Sequence, residues 1–145
     1  MKIVLQRVKK ASVKIDGVTF SAINAGILIL LGIHVADTAD KSDFLAARCA
    51  DMRIFSDSQG KMNLSLEETG GEALVVSQFT LFADCSKGRR PSFFEAAPPE
   101  KGRELYEQFV LAMKKRINTV ATGVFGATME VELINDGPVT LVLER

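Results

Sequence analysis

Ser77-Gln78-Phe79-Thr80 places two hydroxyls and an amide within four residues, directly after the apolar run Leu74-Val75-Val76. These groups offer hydrogen-bond donors and acceptors but no charge. If the strand continues to Leu81, alternation puts Ser77 and Phe79 on one face and Gln78 and Thr80 on the other. Alone, the string also reads as a strand emerging from the core, because short motifs match by accident often. Asn135-Asp136-Gly137-Pro138-Val139-Thr140 is the second unusual segment. Proline fixes φ and removes a donor, so the carbonyls of Asp136 and Gly137 can point away from a ladder. The plainer reading is a tight turn between two strands. A third segment, Lys87-Gly88-Arg89-Arg90-Pro91-Ser92-Phe93-Phe94, sets basic residues beside aromatics. That combination can hold phosphate and stack a base, or it is a solvated loop with its phenylalanines folded inward.

The rest of the composition narrows the chemistry. His34 is the single histidine, which leaves no His-rich metal site and no spare histidine for a triad. We expect no metal and no cofactor. Cys49 and Cys85 are too few for a disulfide framework or a zinc site and read as free thiols. Eighteen basic residues balance eighteen acidic ones, so a polyanion must be held by a local cluster rather than by net charge. Apolar residues make up 47% of the 145, the balance of an ordinary globular domain. The longest apolar run, Ile27 to Ile33, is far short of the about 20 residues that cross a membrane. No signal-peptide core forms before Gln6-Arg7. Composition therefore points to a cytoplasmic protein with no membrane partner.

The elements that must position these residues follow from periodicity. Residues 2–15 and 18–23 read as strands joined by a hairpin turn at Asp16-Gly17. The run 27–33 is a buried strand. A helix from Asp37 or Thr38 to about Arg53 would bury Phe44, Leu45, Cys49 and Met52. Segments 56–61 and 67–72 read as loops, and Ala73 to Leu81 as a strand. Pro98-Pro99 opens a second helix whose core face is Leu105, Phe109, Ala112 and Met113. Residues 128–134 alternate, and the alternation resumes at 139–143. With no repeat or linker, residues 1–145 form one α+β domain: a largely antiparallel sheet or barrel with two packed helices.

Over its whole length the chain resembles the bacterial D-aminoacyl-tRNA deacylases. The strings that carry the resemblance are Gln6-Arg7-Val8 with Ala11-Ser12-Val13, Arg53-Ile54-Phe55, Gly60 to Ser65, Val75 to Leu81, Lys87 to Phe93, Ala96 to Pro99, Phe125-Gly126-Ala127 with Met129, and Asn135 to Thr140. Each is weak alone; their joint order and spacing are specific. Phe82 stands where the family often has tyrosine, and Asp84-Cys85-Ser86 is a variable stretch, so neither touches the two signature motifs.

The resemblance implies a hydrolase that removes D-amino acids, and glycine as well, esterified to the 3′-terminal adenosine of tRNA. It implies a homodimer in which each subunit inserts a cis Gly137-Pro138 step into the other's active site. There Gly137 and Pro138 act as a chirality filter that excludes an L side chain by collision. Ser77, Gln78 and Thr80 would line the pocket under the ester and support an oxyanion. Two mechanisms stay open. Thr80 attacks as a nucleophile, which needs a base within reach, or the ribose 2′-OH helps activate water while the protein positions the substrate. The second suits a site poor in titratable groups. Phe79, Phe125 and Met129 would supply apolar walls or belong to the core. Arg7 would buttress the Gly-Pro carbonyls or lie on a strand surface, and Lys87, Arg89 and Arg90 would contact acceptor-stem phosphates. A non-catalytic tRNA-binding module and an esterase acting on free D-amino acid esters are the alternatives.

Overall fold

A computed structural model describes residues 1–145. The chain opens with β1 (Lys2–Ile15), turns through Asp16 and Gly17 at φ 51° and 76°, and returns as β2 (Val18–Ile23). Paired positive φ values match the twist of a two-residue hairpin. β3 (Gly26–Gly32) then continues beside the first half of β1, while the last long strand, β8 (Glu130–Glu144), runs antiparallel along β1's other edge.

Helix α1 (Ala39–Asp51), a small hairpin of β4 (Phe55–Ser56) and β5 (Met62–Leu64), and the short α2 (Leu66–Thr69) lead to β6 (Glu72–Ser77). β6 joins β3 in parallel. Helix α3 (Pro99–Lys114) carries the chain to β7 (Val120–Thr122), parallel to β6. Both parallel pairs need a crossover, and α1 and α3 are those crossovers. The antiparallel part is thus the β8-β1-β2/β3 half, with a parallel extension. Ser21 Oγ donates to the Thr122 carbonyl at 2.7 Å and ties β2 to β7, curling the sheet toward a barrel.

Alternation along the central strands divides the core. Ile27, Ile29, Leu31, Ala73 and Val75 face the two helices, and Leu28, Leu74 and Val76 face the barrel interior. Burial on both faces explains why β3 is apolar at nearly every position. In β1, Ile3 and Leu5 face the helices but Val13 faces the interior. Register shifts around Val8 change the side-chain parity and account for the imperfect alternation in sequence. Gly26 has a steric reason: a Cβ there would sit 1.8 Å from the Glu72 carbonyl oxygen.

Several expectations change. α1 buries Ser42, Leu45, Ala46, Cys49 and Ala50, an i, i+3, i+4, i+7, i+8 stripe. Phe44 falls off that stripe, is 46% exposed, and lies under the Arg145 guanidinium at 3.9 Å. Thr38 holds the N-cap position without a side-chain bond, since the Asp37 carboxylate takes the His34 N–H and the Met1 ammonium instead. Segment 67–72 is not all loop: Ser65 and Glu68 form a reciprocal capping box on α2. Residues 135–139 are not a turn, because β8 runs through them with a register shift opposite Arg7.

Candidate active site

The polar segment does not continue as a strand. β6 ends at Ser77, Gln78 takes φ −143° and ψ 76°, and Phe79–Phe82 wind into a 3-10 turn. The Gln78 N–H still reaches Leu31 O at 2.8 Å, and then Leu81 N–H closes on Gln78 O at 3.2 Å. The expected alternation from 77 to 81 therefore fails. The turn carries the Gln78 amide onto the Thr80 hydroxyl. It also needs room beneath it. A Cβ on Gly32 would lie 3.0 Å from Leu81 Cβ and 3.1 Å from Gln78 O, so the glycine that ends β3 accommodates the turn.

Beside this turn is a cleft of about 80 Å³. Its rim is Ser77, Gln78, Phe79, Phe125 and Gly126, and its floor includes Leu31, Ile33 and Gly102. Ser77 and Gln78 are half-buried, while Phe79 is 58% exposed. Phe125, one wall of the cleft, is held from two sides. Its ring lies 5.8 Å from that of Tyr106 and 5.0 Å from the Arg103 guanidinium. Tyr106 donates to Val75 O at 2.8 Å, two residues before Ser77, and burial pushes its phenol up to about 12. It therefore stays a neutral donor across the working pH range. Tyr106 and Arg103 were not singled out from sequence; their i, i+3 spacing on α3 was the available signal.

No side chain lining the cleft is ionisable. Gln78, a neutral amide, is the side-chain partner of Thr80. His34 does not line the cleft: its Nδ1 accepts from Ala36 N–H at 3.0 Å and its ring packs 5.1 Å from Phe82, at the end of the same 3-10 turn. Cys49 is buried and its thiol is pushed up to about 12 by desolvation, so it is inert; Cys85 is exposed.

Gly137 and Pro138 are exposed, and the bond between them is cis. Arg7, only 8% exposed, sits under the segment. Its Nε approaches Asp136 Oδ2 at 2.9 Å and Asp136 O at 3.3 Å, and its Nη1 donates to Ile54 O. It is a buried clamp and not a surface strand arginine. Asn135 Nδ2 adds a second clamp, donating to Arg7 O at 3.0 Å and Val139 O at 3.1 Å. The sequence shows Asn135 as part of the unusual segment but not its clamping role, because nothing local shows that its side chain folds back across its own strand.

One chain does not bring the two signature segments together. Counting four residues along the strands and three strand spacings across β8-β1-β3-β6, Gly137 lies roughly 20 Å from Ser77. Of the other candidates, Phe79 reaches the basic loop: its ring meets Phe93 at 5.1 Å and 69°. Lys87, Arg89 and Arg90 are exposed on that loop, whose neck is the Asp84–Ser92 bridge. Met129 lies away from the cleft. Its sulfur accepts from Val124 N–H at 3.4 Å and it packs with the barrel-interior cluster. No helix is long and apolar enough to cross a membrane.

Comparison with known proteins places this geometry. Residues 4–144 match a family model described as D-Tyr-tRNA(Tyr) deacylase. A D-aminoacyl-tRNA deacylase of Desulfatibacillum aliphaticivorans is 55% identical over 144 residues, covering 99% of both chains. One from Chloroflexus aurantiacus is 57% identical, covering 99% of this chain and 90% of the relative. Among solved structures, a c-Myc DNA unwinding element binding protein superposes with TM-score 0.94 at 40% identity, covering 100% of this chain and 99% of its own. A probable eukaryotic D-amino acid tRNA deacylase shares the fold, with TM-score 0.84 at 17% identity over 98% and 97% of the two chains.

Proposed function

The chain belongs to the D-Tyr-tRNA(Tyr) deacylase family and is a D-aminoacyl-tRNA deacylase, and from that premise we propose how its residues edit mischarged tRNA. The enzyme is an ester hydrolase and aminoacyl-tRNA is its substrate. The aminoacyl ester sits over Ser77, Gln78 and Thr80, with Phe79 and Phe125 as apolar walls for the terminal adenosine. The Gln78 amide and the hydroxyls orient the carbonyl and stabilise the developing oxyanion. The ribose 2′-OH beside the ester assists the attacking water.

The observation that carries this reading is the lining of the cleft: a hydroxyl, an amide and apolar groups, with no ionisable side chain. A Thr80 nucleophile would need a base, and its neighbour is the Gln78 amide. Positioning and preorganised dipoles are what remain to the protein, and the substrate supplies the acid–base group.

Selection of hand falls to Gly137 and Pro138. Their main-chain atoms form a wall against which an L side chain collides, whereas a D side chain points away and glycine has nothing to collide. The separation of roughly 20 Å within one chain supports a homodimer in which each subunit presents this step to the other's cleft. Arg7 holds the step in place through Asp136, and Lys87, Arg89 and Arg90 contact tRNA phosphates. Such a substrate is met in the cytoplasm.

The deciding assay offers matched D- and L-tyrosyl-tRNA and follows ester hydrolysis, with a third substrate ending in 2′-deoxyadenosine. Rapid loss of the D ester alone, and binding without turnover of the deoxy substrate, are expected. Equal cleavage of both hands removes the filter. Full activity on the deoxy substrate, or a trapped acyl-Thr80, removes the RNA-assisted step.

A further inference from the structure

Phe94 is 94% exposed, more than any other large apolar side chain of the protein. Single exposed apolar residues are common and need no explanation, but this one is held in a fixed place. It occupies the tip of a turn closed by Ala96 N–H on Phe93 O at 3.1 Å. That turn is pinned on its far side by Val35 N–H on Glu95 O and Ala97 N–H on Ile33 O, both at 2.9 Å. On its near side the neighbouring residue, Phe93, lays its ring edge-on to Phe79, which forms the rim of the cleft. Phe94 therefore stands one residue beyond the aromatic pair at the cleft's mouth, on a backbone with little freedom.

The loop leading into the turn is mainly basic. It carries Lys87, Arg89 and Arg90, all exposed and none in an ion pair within the chain. Its neck is fixed by the reciprocal Asp84–Ser92 backbone bonds at 2.8 and 3.0 Å. Two exposed acids accompany the three cations: Asp84 at the neck, which accepts from the Ser86 N–H at 2.9 Å, and Glu95 on the turn. An accessible aromatic ring beside three free cations suits an unpaired nucleic acid strand: the ring stacks on a base and the cations follow the phosphates.

We infer that Phe94 is a stacking platform for the unpaired nucleotide just before the terminal adenosine, with Lys87, Arg89 and Arg90 on the phosphates of that strand. This rests on the deacylase reading of the cleft, since that reading anchors the terminal adenosine next door. It adds a subsite that the ester chemistry does not use. Phe94 would act on binding of the strand and not on the chemical step.

The test compares two substrates: D-tyrosyl-tRNA and D-tyrosyl-adenosine, which keeps the ester and lacks the flanking nucleotides. With Phe94→Ala, KM for the tRNA rises by about 10-fold or more, the worth of one lost base–aromatic stack. The kcat on tRNA and both constants on the adenosine ester stay at wild-type values, and Phe94→Trp restores the tRNA KM. Anisotropy with uncharged tRNA reads the same loss without hydrolysis. An unchanged tRNA KM, or equal loss on both substrates, overturns the inference. A changed sedimentation coefficient for Phe94→Ala also overturns it, by assigning the ring to contact between two copies. Should the wild type hydrolyse neither substrate while Phe94→Ala still weakens tRNA binding, the deacylase reading fails and the stacking subsite stands.

Discussion

Replacing Arg7 by methionine keeps most of the buried alkyl stem and removes the guanidinium fork. Two losses follow. The Ile54 carbonyl, in a buried contact with Nη1, is left without this donor, and an unpaired buried acceptor costs about 1–3 kcal/mol. The Asp136 carboxylate loses its partner at 2.9 Å but is 40% exposed, so water screens it and the loss there is about 0–1 kcal/mol. Together the expected destabilisation is about 1–4 kcal/mol, which for a domain of this size lowers Tm by about 3–13 °C. Thermal unfolding followed by circular dichroism at several protein concentrations measures this and separates it from dissociation. Arg7→Lys should fall between, since one ammonium cannot span both Ile54 and Asp136 as the fork does. The D-over-L ratio should drop in both variants, because the carbonyl of Asp136 adjoins Gly137. A Tm within about 2 °C of wild type for Arg7→Met would refute the clamp.

Tyr106→Phe removes one buried hydrogen bond while Val75 O keeps Gly123 N–H at 3.0 Å, so urea unfolding should register a loss of only about 1 kcal/mol; no loss would mean the phenol is idle. Exchanging Lys87, Arg89 and Arg90 together for alanine should flatten the plot of log binding constant against log salt by about 2, at about 0.7 per single-strand phosphate; an unchanged slope would place the tRNA elsewhere. Mixing subunits of Gly137→Val with subunits of Ser77→Ala/Thr80→Val should recover D-selective activity in the heterodimer, where one cleft is intact on both sides; no recovery argues against a shared site. Arg116 bridges Asp51 and Glu67, and its hydrogen bond holds the Asp51 carboxyl below the usual carboxylate range. A depressed carboxylate stabilises fully above its unfolded pKa and ceases to do so as pH falls through the folded value. The deficit of Arg116→Gln, about 1 kcal/mol or less from the ion pairs, should therefore be largest at neutral pH and shrink under acid below the carboxylate range to what the pH-independent bond from Arg116 Nη1 to Ala47 O contributes; a deficit that does not shrink contradicts the pairing.

Local pattern was enough for most of the frame. The Asp16-Gly17 hairpin, the doubly buried β3, the proline-led α3 and the long flanking strands all depend on residues close in sequence, where turn chemistry and periodicity act directly. The basic loop and the strand leading to Ser77 were legible for the same reason. Phe44 misled because a one-position offset on a helix changes the face, and only the partner α3 fixes which face is inside. The end of β6 misled because the 3-10 turn at Phe79 depends on room above Gly32, a residue 47 positions away in sequence.

What tertiary structure alone decided is how distant segments meet. Arg7, Asn135 and Ile54 carry no local sign that they converge on one bulge, since their hydrogen bonds span strands whose pairing is set by the whole sheet. Residue types and short-range pattern along the chain set which side chains and turns this protein has to work with. The sheet's register determined that Ser77 and Gly137 stand apart in one chain, because strand pairing, and not adjacency in sequence, sets distance across a folded protein.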